Sequence, residues 1–544
     1  MDMHYDYILV GGGSSACVMA SRLVREAGAR VLMLEAGPAK ANPIMSMPAG
    51  YMKFLAKDTY LTMHHTEGQA QLNGRGPVVP QAKVLGGGST VNAMVYMRGH
   101  AEDYDDWNAH SEGTDWSLST LMPYFARQED NDHLGAPHHG VDGPLKVSHL
   151  GHFSPMSRAY VKTMQGMGLN YTPDFNDGNP AGVGFMQHTI DWRTRRRSSA
   201  YDAFIAPLED DPRLTVLSET RVTRLLFDQN RVTGVETERK GSRRSFTAER
   251  EVLLAAGAYQ TPKLLMLSGI GPSDELAGHG IETRVALPGV GQNLQDHYEV
   301  PVVATTRGAY GYYGQDKGWP MVKAGLQYLL FRSGPVTTTG VETCAFLDPE
   351  NLGGTPSVQM FCVPTVYLDR DVTGTDPGPG VTINSLLLRP ESRGRVSLAS
   401  ADPQANPIVD TQIYAVDEDL RRTIAGFRFA RRVLEQEPIQ SMVDREIFPG
   451  PEVTSDEAIA DHCRRMVKTG YHPVGTCRIG RDGDPMAVLT PQLEVRGTRG
   501  LRVIDASMMP NIIRGNTNAA VMAVADRAAD LVLAEANRQS QEAA

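Results

Sequence analysis

The stretch Tyr5–Glu35, YDYILVGGGSSACVMASRLVREAGARVLMLE, decides the fold. It reads as a βαβ unit: a strand over Tyr5–Val10, a glycine turn at Gly11–Gly13, a helix from Ser15 to Ala27, and a second strand over Arg30–Leu34. The helix turns Val18, Leu23 and Val24 toward a sheet. At the strand-to-helix turn, Gly11-Gly12-Gly13-Ser14-Ser15-Ala16 has the form G-x-G-x-x-G/A, and Glu35 ends the second strand. Gly11 permits the tight turn and Gly13 lets a pyrophosphate approach the backbone. The helix N-terminus then offers aligned N–H donors and positive dipole to its charge. Ala16 in the third glycine position only tightens helix-to-strand packing. Glu35 can accept from ribose hydroxyls. The pattern is a dinucleotide-binding fingerprint, and alone it leaves NAD and FAD both open.

Outward from this unit, the β-rich pieces VTRLLF, RVTGVE and REVLLAAG between Arg221 and Ala256 run into a helical segment at Thr261–Leu267, a second visit to the nucleotide-binding domain. The end of the chain repeats the grammar: LRVIDAS, a turn over Asn511–Asn518, and a long helix over Ala519–Asn537 with a frayed tail QSQEAA. Between Val300 and Arg465 the strand candidates SVQMFCV, VTINSLLL and GRVSLAS are separated by turns such as TGTDPGPG, which suits a substrate domain with an antiparallel sheet. The fold class expected is therefore α/β: a Rossmann-like nucleotide-binding domain (1–150, 196–300 and 473–544) interleaved with a substrate domain of antiparallel sheet and helices (151–195 and 301–472).

At 544 residues the chain exceeds what one core usually organises, and 41% hydrophobic with 21% charged residues fits a globular protein. Lys plus Arg number 53 against 63 Asp plus Glu, a net charge of −10 that gives no field for a nucleic-acid backbone. The cluster Arg193-Thr-Arg195-Arg196-Arg197 reads as solvated or acid-paired surface. Five scattered cysteines (Cys17, Cys344, Cys362, Cys463, Cys477) without CxxC spacing indicate neither a disulfide framework nor zinc, and suit a reducing compartment. The N-terminus passes straight into a strand without a signal-like segment, and no apolar run reaches spanning length. These readings give a cytoplasmic protein without a transmembrane segment, with peripheral contact at the inner membrane face left open. Neither His64-His65 nor His138-His139 has the helical spacing that puts two ligands on one face, so no metal is expected. Cys477 reads as a small supporting residue, and Met45–Met52 as loop packing.

Four further segments choose the cofactor. VLGGGSTVNAMVYMRG (Val84–Gly99), GAYQTPKLLMLSGIG (Gly257–Gly271), LPGVGQNLQDH (Leu287–His297) and YHPVGTC (Tyr471–Cys477), followed by IDASMMP and GNTNA, resemble the glucose-methanol-choline oxidoreductase family over nearly the whole chain and in its usual order. The resemblance implies FAD, with contacts at Gly11, Gly13, Ser14, Ser15, Glu35, Ala36, Val84, Gly87, Ser89, Asn92, Ala93, Met94, Val222, Ala256, Asp505, Ala506, Asn516, Thr517 and Asn518. The glycines of the Gly86–Ser89 run let a planar ring pack closely, and Asn518 opens a helix whose positive end suits charge gathering on the flavin. By resemblance, His472 is the catalytic base: an imidazole titrating near neutrality can take the hydroxyl proton while the carbinol hydride leaves for flavin N5. Asn516 falls where relatives carry a second His or Asn, and orients the substrate oxygen.

Val91 stands where covalently flavinylated members have histidine, so noncovalent FAD is expected. Gln81, Ala82 and Leu61 tilt the chain toward the sorbose and primary-alcohol dehydrogenase-like members, and Asn516 toward the choline-type and aliphatic alcohol branches. Choline itself is disfavoured, because a quaternary ammonium wants an aromatic and acidic cage. The expected activity is oxidation of a primary alcohol, polyol or sugar alcohol, with electrons passed to a quinone-like, dye-like or protein acceptor, in an enzyme that can be oligomeric. An oxidase that reduces oxygen to peroxide is the close alternative. A hydroxynitrile lyase-like flavoprotein and an NAD-dependent dehydrogenase are the others.

Overall fold

The computed structural model describes residues 4–54, 59–368 and 378–542. β1 (His4–Val10), α1 (Ser14–Ala27) and β2 (Val31–Leu34) form the expected βαβ unit. Tyr7–Val10 and Val31–Leu34 are wholly buried, as parallel strands covered on both faces must be. α1 ends on Gly28, which takes the left-handed conformation (φ 60°) and returns its N–H to Leu23 O.

β1 lies between β2 and the strand Ser242–Leu254, parallel to both, and Leu214–Leu217 extends the sheet beyond β2. The early part of Ser242–Leu254 pairs antiparallel with Arg231–Arg239, which pairs with Arg221–Asp228; its last residues pair in parallel with Leu501–Val503. The first seven-stranded sheet therefore draws on three separate parts of the chain. α2 (Gly257–Leu267) leaves Ser242–Leu254 four residues before the expected helix start.

The second sheet also has seven strands, with Tyr298–Thr306 between Val443–Phe448 and Gly380–Leu387, then Val358–Val363, Thr343–Leu347 and Gly182–Phe185, and with Lys468–Thr469 pairing the start of Tyr298–Thr306, all antiparallel. The helix Asp417–Leu434 packs across it, burying Phe427, Ala430 and Val433. α3 (Gly318–Phe331) stands apart from this core. The expected strand in GRVSLAS is only Arg395–Ser397, and it pairs with Ile408–Asp410 instead of joining the sheet. Of the turn TGTDPGPG, residues 373–377 lie outside the described residues.

α4 (Asn518–Glu542) reaches into the segment expected to fray, as far as Glu542. Its buried alanines, among them Ala520, Ala523 and Ala525, let it approach α1 closely. Buried Asp526 fixes the pair: Arg22 donates to it from α1, and Arg127 Nε (2.8 Å) and Gln128 Nε2 (2.9 Å) donate from a third helix. This aligns the N-termini of α1 and α4.

Candidate active site

A cavity of about 1530 Å³ is lined by both sheets and by the N-terminal ends of α1, α2 and α4. It exceeds the ~300–1,000 Å³ of an ordinary small-ligand pocket. At one end are Gly11, Gly13, Glu35 and Ala36; at the other, Phe361, Asn384 and Leu386 from the second sheet face His472 and Asn516.

The nucleotide end is shaped by absent side chains. A Cβ on Gly11 (φ 100°) would lie 2.5 Å from Ala255 O, and one on Gly87 (φ 55°) 2.7 Å from Gly13 Cα, so the two glycine turns close on each other only as glycines. α1 has no side-chain cap and no acidic residue in its first turn, and α4 has none there either. Ser14 Oγ donates to Asn518 Oδ1 across the two helix ends at 2.8 Å. Two positive dipole ends therefore converge on the cavity with no carboxylate in either first turn. Glu35 accepts from Gly12 N (2.8 Å) and Gly37 N (2.7 Å). Burial raises its carboxyl above the ordinary range, against the pull of those two amides. Asp505 accepts from Gly257 N (2.8 Å) and Thr261 Oγ1 (2.6 Å), locking α2 to the last turn.

At the other end His472 Nε2 lies 3.1 Å from Asn516 Nδ2, and His472 Nδ1 lies 2.9 Å from His297 Nδ1. His297 Nε2 is 3.0 Å from Ile513 O, an acceptor only, so that nitrogen carries the proton. Burial, and then the neighbouring His472, hold His297 well below the usual imidazole range, so it is neutral and its Nδ1 accepts. His472 must donate from Nδ1. Burial lowers His472 to about 4, so it too is neutral, and the Nε2 lone pair accepts from Asn516 Nδ2. Asp296 holds the two histidine loops together, accepting from the backbone N–H of His297 and of His472 (each 2.8 Å) and from the Thr469 hydroxyl. Tyr471 takes a left-handed backbone (φ 67°) to aim His472, a conformation that non-glycine residues adopt at a cost. Asn516 Oδ1 is 3.5 Å from Gln359 Nε2, which leaves its amide nitrogen toward His472.

Most expected contacts line the cavity, namely Gly11, Gly13, Ser14, Ser15, Glu35, Ala36, Gly87, Asn92, Ala93, Val222, Ala256, Asp505, Ala506, Asn516, Thr517 and Asn518. Val84, Ser89 and Met94 do not. Val84 is buried beneath the loop, Ser89 Oγ turns back to Gly86 O (2.6 Å), and Met94 (φ 63°) packs with Tyr51, Leu150 and Ile190. Met45–Met52 is more than packing, since Met47, Tyr51 and Met52 are in the cavity wall. The basic cluster also departs from a surface reading: Arg197 is buried and donates to Ser89 O (2.9 Å), Asn92 Oδ1 (2.7 Å), Asn92 O (2.8 Å) and Met45 O (3.1 Å). It clamps the loop carrying Asn92, a role that run-of-charge reasoning misses. His297 was in plain view at the end of the LQDH motif, but its function depends on a neighbour far along the chain. His139 lies between Glu129 (3.0 Å) and Asp174 (3.0 Å), and His64 bonds Gln81 (3.2 Å). Burial pushes the Cys477 thiol well up, which suits packing and not nucleophilic work.

The model for GMC oxidoreductases matches residues 5–299 in its N-terminal part and 390–525 in its C-terminal part. The chain belongs to the GMC oxidoreductase family. It is 37% identical over 548 residues to the alcohol dehydrogenase (acceptor) of Pseudomonas putida, covering 99% of this chain and 97% of that one. To the mitochondrial choline dehydrogenase of Homo sapiens it is 35% identical, covering 97% and 89%. Among solved structures it is similar to pyridoxine 4-oxidase from Mesorbium loti (TM-score 0.87, 29% identity, covering 96% and 98%) and to Aspergillus oryzae formate oxidase, studied for its FAD modification (TM-score 0.89, 28%, covering 98% and 99%). GMC oxidoreductases bind FAD, and this cavity fits it: paired helix ends for the pyrophosphate, buried Glu35 for the ribose, and glycine turns that leave room for a flat ring. The chain is thus an FAD-dependent oxidoreductase, and the NAD reading of the fingerprint falls away.

Proposed function

We propose that this GMC oxidoreductase oxidises a primary alcohol, polyol or sugar alcohol to the aldehyde or ketone, and passes two electrons to a quinone-like or other non-oxygen acceptor. The observation that carries the reading is the lone pair of His472 Nε2, which accepts from Asn516 Nδ2 at 3.1 Å in the cavity wall, so that both groups are aimed at the point an alcohol oxygen would occupy. FAD, when bound, supplies the two-electron acceptor for the carbinol carbon. Gly11, Gly13, Ser14 and Asn518 would hold its pyrophosphate, Glu35 its ribose, and Gly87, Asn92 and Ala93 its ring system. An alcohol entering the far end gives its hydroxyl proton to His472 Nε2, while Asn516 Nδ2–H holds the same oxygen. The proton is stabilised on His472 because Nδ1–H already donates into His297. Leu386, Phe361 and Val341 keep that end largely apolar, which strengthens both hydrogen bonds by excluding water.

The wall also speaks to the substrate. Of its carboxylates, Glu299 is paired with Lys468 Nζ at 2.9 Å, and the same ammonium stands 4.5 Å from the Tyr367 ring centroid. A quaternary ammonium would have to compete with a resident cation for both groups, so a neutral alcohol suits the pocket better than choline. The neighbouring alcohol dehydrogenase (acceptor) points the same way. The five cysteines are all free and buried, in keeping with a cytoplasmic location. Among the described residues no helix is long and apolar enough to cross a membrane.

Anaerobic flavin bleaching against short alkanols, aryl alcohols, polyols, sorbose and choline tests the reading. Bleaching by a neutral alcohol, with little peroxide in air and fast dye reduction, supports it. Bleaching by choline alone, or stoichiometric peroxide, would overturn the substrate or acceptor assignment respectively.

A further inference from the structure

Among the described residues one surface is unlike the rest. α3 reads GWPMVKAGLQYLLF and buries only Ala324 and Tyr328 of its 14 residues. Trp319 and Phe331 are each 73% exposed, Leu330 69% and Leu329 59%, with Val322 and Leu326 completing a stripe along the outer face. A helix resting on a water-facing surface presents polar residues outward. This one presents its largest apolar groups outward, and an apolar patch of that kind marks a docking surface.

Charge selects the occupant. From Lys317 to Arg332 the segment carries Lys317, Lys323 and Arg332 and no carboxylate, on a chain of net charge −10. Basic groups beside an apolar stripe with aromatic residues near both ends are what an anionic lipid surface recognises, the lysine stems lying along the apolar face while their ammonium groups reach lipid phosphates. A second copy docking by the same face would set these cations against their own equivalents across a two-fold axis. The patch is also continuous with the cavity. Met321, Ala324 and Gly325 line it from the inner side of α3, and Ile44, Met52 and Tyr313, each more than a third exposed, line it at its open rim.

We propose that α3 is an in-plane membrane anchor, which lies in the headgroup region of an anionic phospholipid bilayer and sets the cavity mouth against the acyl chains. An apolar alcohol or a lipid-dissolved acceptor then reaches the site from the bilayer directly. This last step rests on the oxidative reading above; the docking itself does not.

The test is flotation of the FAD-loaded enzyme with vesicles of phosphatidylcholine alone and of phosphatidylcholine mixed with phosphatidylglycerol, at low and high salt. The wild type is expected to float with the anionic vesicles and to be released in part by salt. Leu329→Glu/Phe331→Glu should lose binding by about 10-fold or more, and Lys323→Glu should weaken binding to anionic vesicles alone. All should keep wild-type dye-coupled alcohol oxidation in solution. A wild type that stays unbound with both vesicle types overturns the proposal, as does a lipid-free dimer that the double variant converts to monomer. Because dye reduction is read separately, failure of the catalytic reading and failure of docking give different results.

Discussion

His297 Nδ1 stands 2.9 Å from His472 Nδ1, so one imidazole fixes which nitrogen of the other is basic. His297 cannot give its own proton back to His472, because that proton is committed to Ile513 O at 3.0 Å. Replacing it with leucine leaves His472 Nδ1–H without an acceptor and favours the opposite tautomer, whose Nε2–H can no longer take a proton. His297→Leu should therefore slow alcohol-driven flavin reduction by about 10²-fold or more with a small change in KM, while His297→Asn, whose amide oxygen can accept, recovers part of the rate. Stopped-flow reduction of the two variants decides it. Equal rates for leucine and wild type would show that the tautomer is set elsewhere.

His472→Ala tests the base itself. It should retain yellow FAD, since His472 forms none of the pyrophosphate or ribose cradle, yet lose at least about 10²-fold in flavin reduction. Near-native reduction would sink the base assignment.

The pH dependence follows from burial. His472 is lowered to about 4, and catalysis needs its neutral form, so flavin reduction should hold steady as pH falls through 6.5 and decline only toward pH 4–5. An acid limb centred on 6.5 in anaerobic stopped-flow data would contradict the buried, neutral pair.

The same burial predicts a stability trend. His64, His188 and His462 are lowered to about 4, like His472. Between pH 6.5 and 4 the unfolded chain binds protons at these sites and the folded chain does not, so stability falls as pH drops through that window. Asp296, raised to about 7 by burial against its hydrogen bonds, works the other way and offsets about one histidine. Differential scanning calorimetry of the holoenzyme should show Tm several degrees lower at pH 5.5 than at 7.5; a rise would mean that the carboxylates dominate.

What could be read from the chain was what is local. Tyr5–Leu34 declares its strands, turn and helix within 30 residues, and the glycines that close on each other are visible as glycines. His472 and Asn516 were legible because each sits in a compact motif. Arg197 was not, because a buried guanidinium and a solvated one look alike in sequence, and only the folded loop brings Asn92 and Met45 to it. Val84, Ser89 and Met94 share a motif with Asn92 but turn inward, since a turn alternates which residues face the ligand. The outward apolar stripe of α3 hid for the opposite reason: without the tertiary structure it reads as an ordinary core helix.

Arg197 gives a prediction of its own. Burial lowers it to about 10, and its planar fork spans Ser89, Asn92 and Met45 at once. A lysine ammonium cannot span those acceptors. Arg197→Lys should cost about 2–4 kcal/mol in stability and weaken FAD retention at least about 10-fold. Thermal melts and fluorescence of released flavin measure both, and a variant that melts and binds like wild type would reduce the clamp to packing.

The manner of FAD attachment can be tested on the intact protein. In the cavity wall the signature loop contributes Gly87, Gly88, Val91, Asn92, Ala93 and Val95, none of which carries an imidazole, thiol or phenol able to form a bond to the flavin ring. Everything else in the cradle acts by hydrogen bonds, dipoles and close packing, all of which vanish when the chain unfolds. Acid or urea should therefore release the flavin quantitatively into a filtrate, with an unmodified FAD mass. Flavin that stays with the denatured chain would mean that a side chain outside this loop reaches the ring, and peptide mapping of the yellow fragment would name it.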